Sequence, residues 1–273
     1  MSLISFITAA GIILLYLWMI SPNLTRKKRV LKINRTMFAH RGFHTGSRRV
    51  PENSLLAFDR AILHRYGIEL DIHLTKDKKL IVFHDDTLNR MCERTGQVEK
   101  MTYSELHTCA LLGSNERIPL LSEVLKKVNG RVPLLIELKL PYKDMSLCPL
   151  LYEELKGYQG FYLIQSFNTL GLFWFRRHAP HILRGQLSSN LIRDDKNNSY
   201  ILRFLVQFLL VNFIGRPDFI SYKHKDTKNL SFLLNRYLFR VPTAVWTLRT
   251  QKALEKYRPF HNMYIFERTN ENY

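Results

Sequence analysis

The chain opens on an unbroken apolar stretch. From Leu3 to Ile20 it reads LISFITAAGIILLYLWMI, with no charged residue. A helix of that length spans about 27 Å, close to the roughly 30 Å hydrocarbon core of a bilayer. No basic residue precedes it and no small-x-small cleavage site follows, so it reads as a retained anchor more than as a removable signal. Tyr16 and Trp18 fall near its end, where amphipathic rings favour the headgroup zone. A second apolar run over residues 201–214 (ILRFLVQFLLVNFI) is shorter and carries Arg203, Gln207 and Asn212. It predicts a buried or membrane-skimming helix.

Beyond residue 35 the pattern changes to short apolar runs rich in β-branched and aromatic residues, separated by helix-like segments. The runs cover 36–39, 67–72, 80–83, 133–138, 160–165, 182–187, 218–222, 242–247 and 263–266. Strands alternating with helices predict a parallel sheet with helices outside it. At this size the expected fold is an α/β (β/α)8 TIM-type barrel, although a doubly wound open sheet uses the same alternation. The connection between 72 and 80 is too short for a helical crossover. Those two runs therefore form an irregular pair, or one of them lies outside the barrel. Residues 85–118, after the third strand, and 190–214 break the rhythm and read as insertions. The expected organisation is a transmembrane anchor over 1–21, a basic juxtamembrane linker over 22–35 and the barrel over 36–273.

Charge sharpens this picture. With 41 Lys+Arg against 23 Asp+Glu, the net charge of +18 calls for an anionic partner. Arg26, Lys27, Lys28, Arg29, Lys32 and Arg35 follow the apolar stretch directly, and the first acidic residue is Glu52. Positive flanks stay on the cytoplasmic side, which predicts a single-pass cell-membrane protein with a cytosolic barrel. The basic run is expected to lie on the anionic lipid surface, and a spanning helix next to it disfavours a nucleic-acid arm. Three cysteines without a CxxC pair argue against a disulfide framework and for a reducing compartment.

Polar residues gather where the strand-like runs end: His40-Arg41, Glu69-x-Asp71, His84-Asp85 and Glu137-x-Lys139. Strand C-termini converge on one face of a barrel, and i and i+2 on a strand point the same way. Three carboxylates brought together there repel one another unless a cation intervenes. An all-oxygen set selects a hard ion such as Mg²⁺ or Ca²⁺. His40 and His84 suit proton transfer near neutrality, and Arg41 and Lys139 suit a phosphate. The combination points to attack on a phosphate ester. Phosphate loops, dinucleotide fingerprints, nucleophile elbows and HExxH are absent from the sequence.

The segments Phe38-Ala39-His40-Arg41-Gly42, Pro51-Glu52-Asn53-Ser54, Glu69-Leu70-Asp71-Ile72, Val82-Phe83-His84-Asp85 and Leu88-Asn89-Arg90 together resemble the glycerophosphodiester phosphodiesterases. Weaker similarities run through Pro119-Leu120-Leu121, Glu137-Leu138-Lys139, Gln165-Ser166-Phe167 and Val245-Trp246-Thr247. The resemblance covers about residues 36–268. It implies a (β/α)8 barrel with an insertion over about 85–118, and a divalent cation held by Glu69, Asp71 and Glu137. It also implies an acid/base pair in His40 and His84, phosphate contacts from Arg41 and Lys139, and a substrate rim including Asn53, Phe167 and Trp246. The implied reaction yields glycerol 3-phosphate and an alcohol from a glycerophosphodiester. The alternatives are a lysophospholipid or a glycerophosphate polymer cleaved at the membrane, or a silent lipid-binding barrel. Near the end the chain departs from the family's pattern: Glu267 stands where Asp is usual, and Leu248-Arg249 where Val-Asn is common. These changes are expected to touch the substrate rim and hence specificity.

Overall fold

A computed structural model describes residues 2–141, 143–196 and 198–267. Its strands are β1 (Thr36–Ala39), β2 (Gly67–Leu74), β3 (Leu80–Val82), β4 (Leu134–Leu138), β5 (Tyr162–Ser166), β6 (Arg184–Ser188), β7 (Phe219–Lys223), β8 (Thr243–Leu248) and β9 (Met263–Phe266). Eight run parallel in the order β1-β2-β4-β5-β6-β7-β8-β9, and β9 pairs back to β1, which closes the barrel and excludes an open sheet. The extra strand is β3. It lies antiparallel on the far end of β2, with Ile72 opposite Val82 and Leu74 opposite Leu80, outside the ring. The short 72–80 connection allows nothing else.

Alternation along the strands sorts side chains to two sides. On β2, Ile68, Leu70 and Ile72 join the main core between strands and helices, and on β4 so do Leu134, Ile136 and Leu138. The intervening positions, Glu69 and Asp71 on β2 and Leu135 and Glu137 on β4, turn to the barrel interior. The surrounding helices are α3 (Leu55–Leu63), α6 (Leu121–Val128), α7 (Leu147–Leu155), α8 (Thr169–His178), α12 (Leu230–Tyr237) and α13 (Gln251–Tyr257). The first insertion carries α4 (Asn89–Cys92) and α5 (Tyr103–His107) over its own small core of Leu88, Met91, Val98, Leu106 and Ile118.

The apolar N-terminal stretch is α1 (Leu3–Ile20), mostly exposed and apolar enough to cross a membrane by length and composition. The basic segment that follows, expected as a linker, is folded onto the barrel. Asn23 N donates to Pro217 O, and Arg26 donates through Nε and Nη2 to both oxygens of buried Asp218. Next come α2 (Lys27–Val30) and a short 3-10 turn. Val30 and Ile33 pack with Phe38, Leu135, Leu163, Phe219 and Ile265 at the N-terminal end of the strands. This segment is the floor of the barrel.

The second apolar run is not one helix. It forms α10 (Tyr200–Gln207) and α11 (Asn212–Gly215), after the short α9 (Leu191–Asp194). Barrel side chains capture the carbonyls that would have carried α10 on: Ser188 Oγ donates to Val206 O at 2.9 Å and Tyr222 OH to Gln207 O at 2.8 Å. Leu209 then turns into the left-handed region at φ 55°. The helix stops there.

Candidate active site

Glu69 and Asp71 on β2 and Glu137 on β4 are all buried, and Asp71 stands opposite Glu137 in the strand register. Each offers a carboxylate oxygen within 4.8 Å of the other two. Two ligands opposite one another across an ion at 2.0–2.6 Å lie roughly 4–5 Å apart, so the set fits one hard divalent cation. Burial first, then repulsion from Asp71 and Glu137, pushes the Glu69 carboxyl well above its usual range. Burial works against ionised Asp71 too, but Lys139, His84 and Arg41 hold its carboxyl well below the usual range. The cluster thus lacks the positive charge that would let all three carboxyls ionise together, which a cation would supply.

Two fixed charges flank it. Lys139 Nζ lies 3.0 Å from Asp71 Oδ1 and also donates to Glu137, which raises its ammonium pKa despite burial. Arg41 is held in the left-handed region at φ 54°, so that its N–H reaches Glu69 Oε2 at 3.0 Å while its Nη1 donates to Glu52 at 2.7 Å. Its Nε, 3.5 Å from Asp71 Oδ2, has no hydrogen-bond partner among the described residues. Gly42 follows at φ 82°, where a Cβ would come within 2.8 Å of Ala57 Cβ. This turn brings Asn53 in, with its N–H on Arg41 O and its Nδ2 on Asp71 Oδ2 at 3.0 Å. Asn53 Oδ1 is buried and has no hydrogen-bond partner among the described residues, and Ser54 caps α3 directly after it.

His40, at the end of β1, places Nδ1 3.1 Å from Glu267 Oε2, and the same oxygen accepts from Arg249 Nη2 at 3.0 Å. An ionised carboxylate only accepts, so Nδ1 carries the proton and Nε2 keeps its lone pair. Burial lowers the His40 pKa to about 4, partly offset by Glu267. At neutral pH this imidazole is uncharged. Burial opposes ionisation of Glu267, but the hydrogen bonds from His40 and Arg249 take it down to about 2. Glu267 therefore touches His40 directly and does not lie on the outer rim, where its departure from the family's pattern was expected to act. His44 lies near both, yet its Nδ1 accepts from Gly46 N at 2.9 Å. Its proton sits on Nε2, which disqualifies that nitrogen as a metal ligand.

His84 follows β3 and is the more open of the two histidines. Its Nδ1 is 2.6 Å from Asp85 Oδ1, and its carbonyl accepts from His73 Nε2 at 3.2 Å. Asp85 is gripped by Arg90 through Nε at 2.7 Å, and Arg90 in turn bonds Glu52 at 2.6 Å. Glu52 completes the chain to Arg41. Alternating charges thus link His84 to the carboxylate cluster through Asp85, Arg90, Glu52 and Arg41. His84 and Arg41, at the two ends of this chain, are expected from the sequence; Glu52 and Arg90 between them are not, although Pro51-Glu52 and Asn89-Arg90 belong to the family-like segments.

A trench of about 1180 Å³ opens beside Glu137 and Lys139 and runs towards the second insertion. Phe167 and Trp246 line it and meet edge to face, with ring centroids 5.9 Å apart. Trp246 Nε1 is buried without a partner among the described residues.

Comparison with known proteins extends this. A model of the glycerophosphoryl diester phosphodiesterase family matches residues 40–266. A glycerophosphodiester phosphodiesterase of Bacillus altitudinis is 36% identical over 171 residues, covering 58% of this chain and 68% of its own. A human lysophospholipase D is 30% identical over 43% of this chain and 40% of its own. An Oleispira antarctica phosphodiesterase, solved with the product sn-glycerol-3-phosphate, superposes with a TM-score of 0.71 at 22% identity, covering 87% and 94% of the two chains. A Thermotoga maritima glycerophosphodiester phosphodiesterase gives a TM-score of 0.64 at 25% identity over 84% and 93%.

Proposed function

Because the chain belongs to the glycerophosphoryl diester phosphodiesterase family and is an enzyme of that class, we propose that it cleaves glycerophosphodiesters to glycerol 3-phosphate and an alcohol at the mouth of this barrel. The observation that carries the reading is the meeting of three buried carboxylates with two carboxylate-oriented imidazoles at neighbouring strand ends.

Glu69, Asp71 and Glu137 would hold a divalent cation, Mg²⁺ or Ca²⁺, which when bound polarises a phosphoryl oxygen and offsets charge developing on it. Arg41 and Lys139 supply positive charge at the same place and suit the remaining phosphate oxygens. His40, uncharged and with Nε2 free, fits the general base that takes the proton from the attacking oxygen. Glu267 fixes the tautomer and steadies the imidazolium that forms. His84 is left as the acid that protonates the departing alkoxide, with Asp85 orienting its ring. Asn53 positions Asp71, while Phe167 and Trp246 wall the side of the trench where the leaving alcohol extends. The helix α1 anchors the enzyme in a membrane. The free state of Cys92, Cys109 and Cys148 supports a barrel on the reducing side of it.

The test is release of glycerol 3-phosphate from glycerophosphocholine by the purified full-length protein, with Mg²⁺, Ca²⁺ or Mn²⁺ and with EDTA. Activity that EDTA stops and His84→Ala abolishes is the expected result. No release with any of the three cations, while circular dichroism shows a folded protein, refutes the proposal.

A further inference from the structure

The direction in which α1 leaves the barrel decides which end of the molecule meets the membrane. Ile20 O accepts from Asn235 Nδ2 at 3.1 Å, and one turn earlier Tyr16 OH bonds Ser231 Oγ at 2.8 Å. Asn235 and Ser231 are likewise one turn apart on α12, so the two helices run parallel. In this barrel α12 descends from the C-terminal ends of the strands to the floor. Followed backwards, α1 therefore rises past the start of α12 and stands clear on the side of the active site. Residues 3–15, about 20 Å of helix at 1.5 Å each, continue beyond the last docked turn and are exposed except at half-buried Ala10.

The same face carries exposed apolar side chains. On α10, Tyr200, Ile201 and Phe204 point outwards, with Ile201 70% exposed, and Leu230 at the start of α12 is 60% exposed. Lys196, before α10, and Lys225 and Lys228, before α12, are exposed. The other side of α10 is used differently: Leu202, Leu205 and Val206 line the trench, together with Leu170 of α8 and Ile214 of α11. Phe213 of α11 packs on Trp18 of α1 with ring centroids 4.6 Å apart, so the apolar end of the trench adjoins the helix. The trench is larger than the roughly 300–1,000 Å³ usual for small-molecule sites.

We propose that the C-terminal face of the barrel lies on the bilayer that holds α1. On the phosphodiesterase reading above, the trench leads the apolar tail of a single-chain glycerophospholipid from that bilayer to the carboxylate cluster. Helix length supports the pose. The free part of α1 falls about 10 Å short of a ~30 Å hydrocarbon core, and sinking the apolar rim of α10 and Leu230 into the interface reduces the mismatch. Lysines around an apolar rim complement anionic headgroups. The basic segment 26–35, expected at the membrane, then lies at the opposite end of the barrel, where Arg26 is already paired with Asp218.

The full-length protein in phosphatidylcholine–phosphatidylglycerol vesicles bearing a diazirine in the acyl chain, photolysed and digested, tests the face directly. Lipid adducts on α10 and the start of α12, with residues 24–35 unlabelled, are expected. Adducts on 24–35 and none on α10 overturn the proposal. Seating of the trench's apolar rim on the bilayer is tested by the double variant Ile201→Glu, Phe204→Glu, both on the outward side of α10. Its turnover of lysophosphatidylcholine in vesicles should fall about tenfold or more, while soluble glycerophosphocholine turnover stays within about twofold. Equal loss on both substrates, or undiminished vesicle turnover, refutes that seating. Inactivity of the unaltered protein on both substrates refutes the phosphodiesterase reading instead, and the photolabelling still decides the face.

Discussion

Replacing Glu267 by Gln removes one charge from the centre and little volume. In the native protein Glu267 Oε2 accepts from His40 Nδ1 at 3.1 Å, and both side chains are only 13% exposed, so water screens the contact poorly. Hydrogen bonds to a charged partner contribute about 1.5–3 kcal/mol. If that stabilisation is realised when His40 takes up a proton, its loss corresponds to roughly a 10- to 150-fold fall in kcat at 1.36 kcal/mol per decade. The affinity for substrate should change little, because the ground-state imidazole is already neutral. The carboxylate also raises the His40 pKa against the larger effect of burial, which brings it to about 4. Without the carboxylate the acid limb of kcat/KM therefore moves to still lower pH. Initial rates on glycerophosphocholine from pH 4 to 8, with the divalent cation saturating, give both readouts. Glu267→Asp, shorter by one C–C bond of about 1.5 Å, should fall between the two, since it keeps the charge and stretches the contact. A rate within twofold of the native enzyme with an unmoved acid limb would show that Glu267 does not orient the base.

Three further outcomes are expected. Divalent cation binding should displace a proton from the Glu69 carboxyl, whose pKa burial and its two neighbours raise; titration calorimetry in buffers of different ionisation enthalpy should show this, and a buffer-independent heat would refute it. His40 and His261 have folded pKa values lowered by burial to about 4 and about 3, so the unfolded chain takes up these protons first. Their contribution to stability is complete above about pH 6.5 and is lost as pH falls through the window down to the folded values; a urea midpoint at pH 5 equal to that at pH 7.5 would contradict the assignment. Gly42→Ala forces a Cβ into φ 82° and within 2.8 Å of Ala57, and should cost about 1–3 kcal/mol in urea unfolding; a cost below about 0.5 kcal/mol would mean the turn relaxes freely.

What the sequence revealed of this protein was what alternation and adjacency encode. Glu69, Asp71 and Glu137 share the barrel interior because they occupy alternate positions on β2 and β4 and the register sets Asp71 beside Glu137. The nine apolar runs lie at nine strands, and the surplus one is β3. Relations between distant residues stayed hidden. Glu267 meets His40 across 227 positions and Arg90 meets Glu52 across 38, and no local pattern announces either contact. The break at Leu209 was equally illegible, because the groups that stop α10 are Ser188 and Tyr222 on neighbouring strands. The basic run 26–35 reads by composition as a juxtamembrane linker lying on anionic headgroups, whereas Val30 and Ile33 within it are core residues. Charge density conceals a few buried positions.

The packing of Val30 and Ile33 governs how a fragment without α1 is to be made. Excising the chain up to residue 35 would strip Val30 and Ile33 from beneath Phe38 and Phe219 and leave Asp218 buried without Arg26. Such a fragment should aggregate, and its inactivity would be misread as proof that catalysis needs α1. A cut just before Ser21 keeps the seal intact, at the cost of buried Ile20 and of uncovering Phe213, Ser231 and Asn235, where the helix had rested.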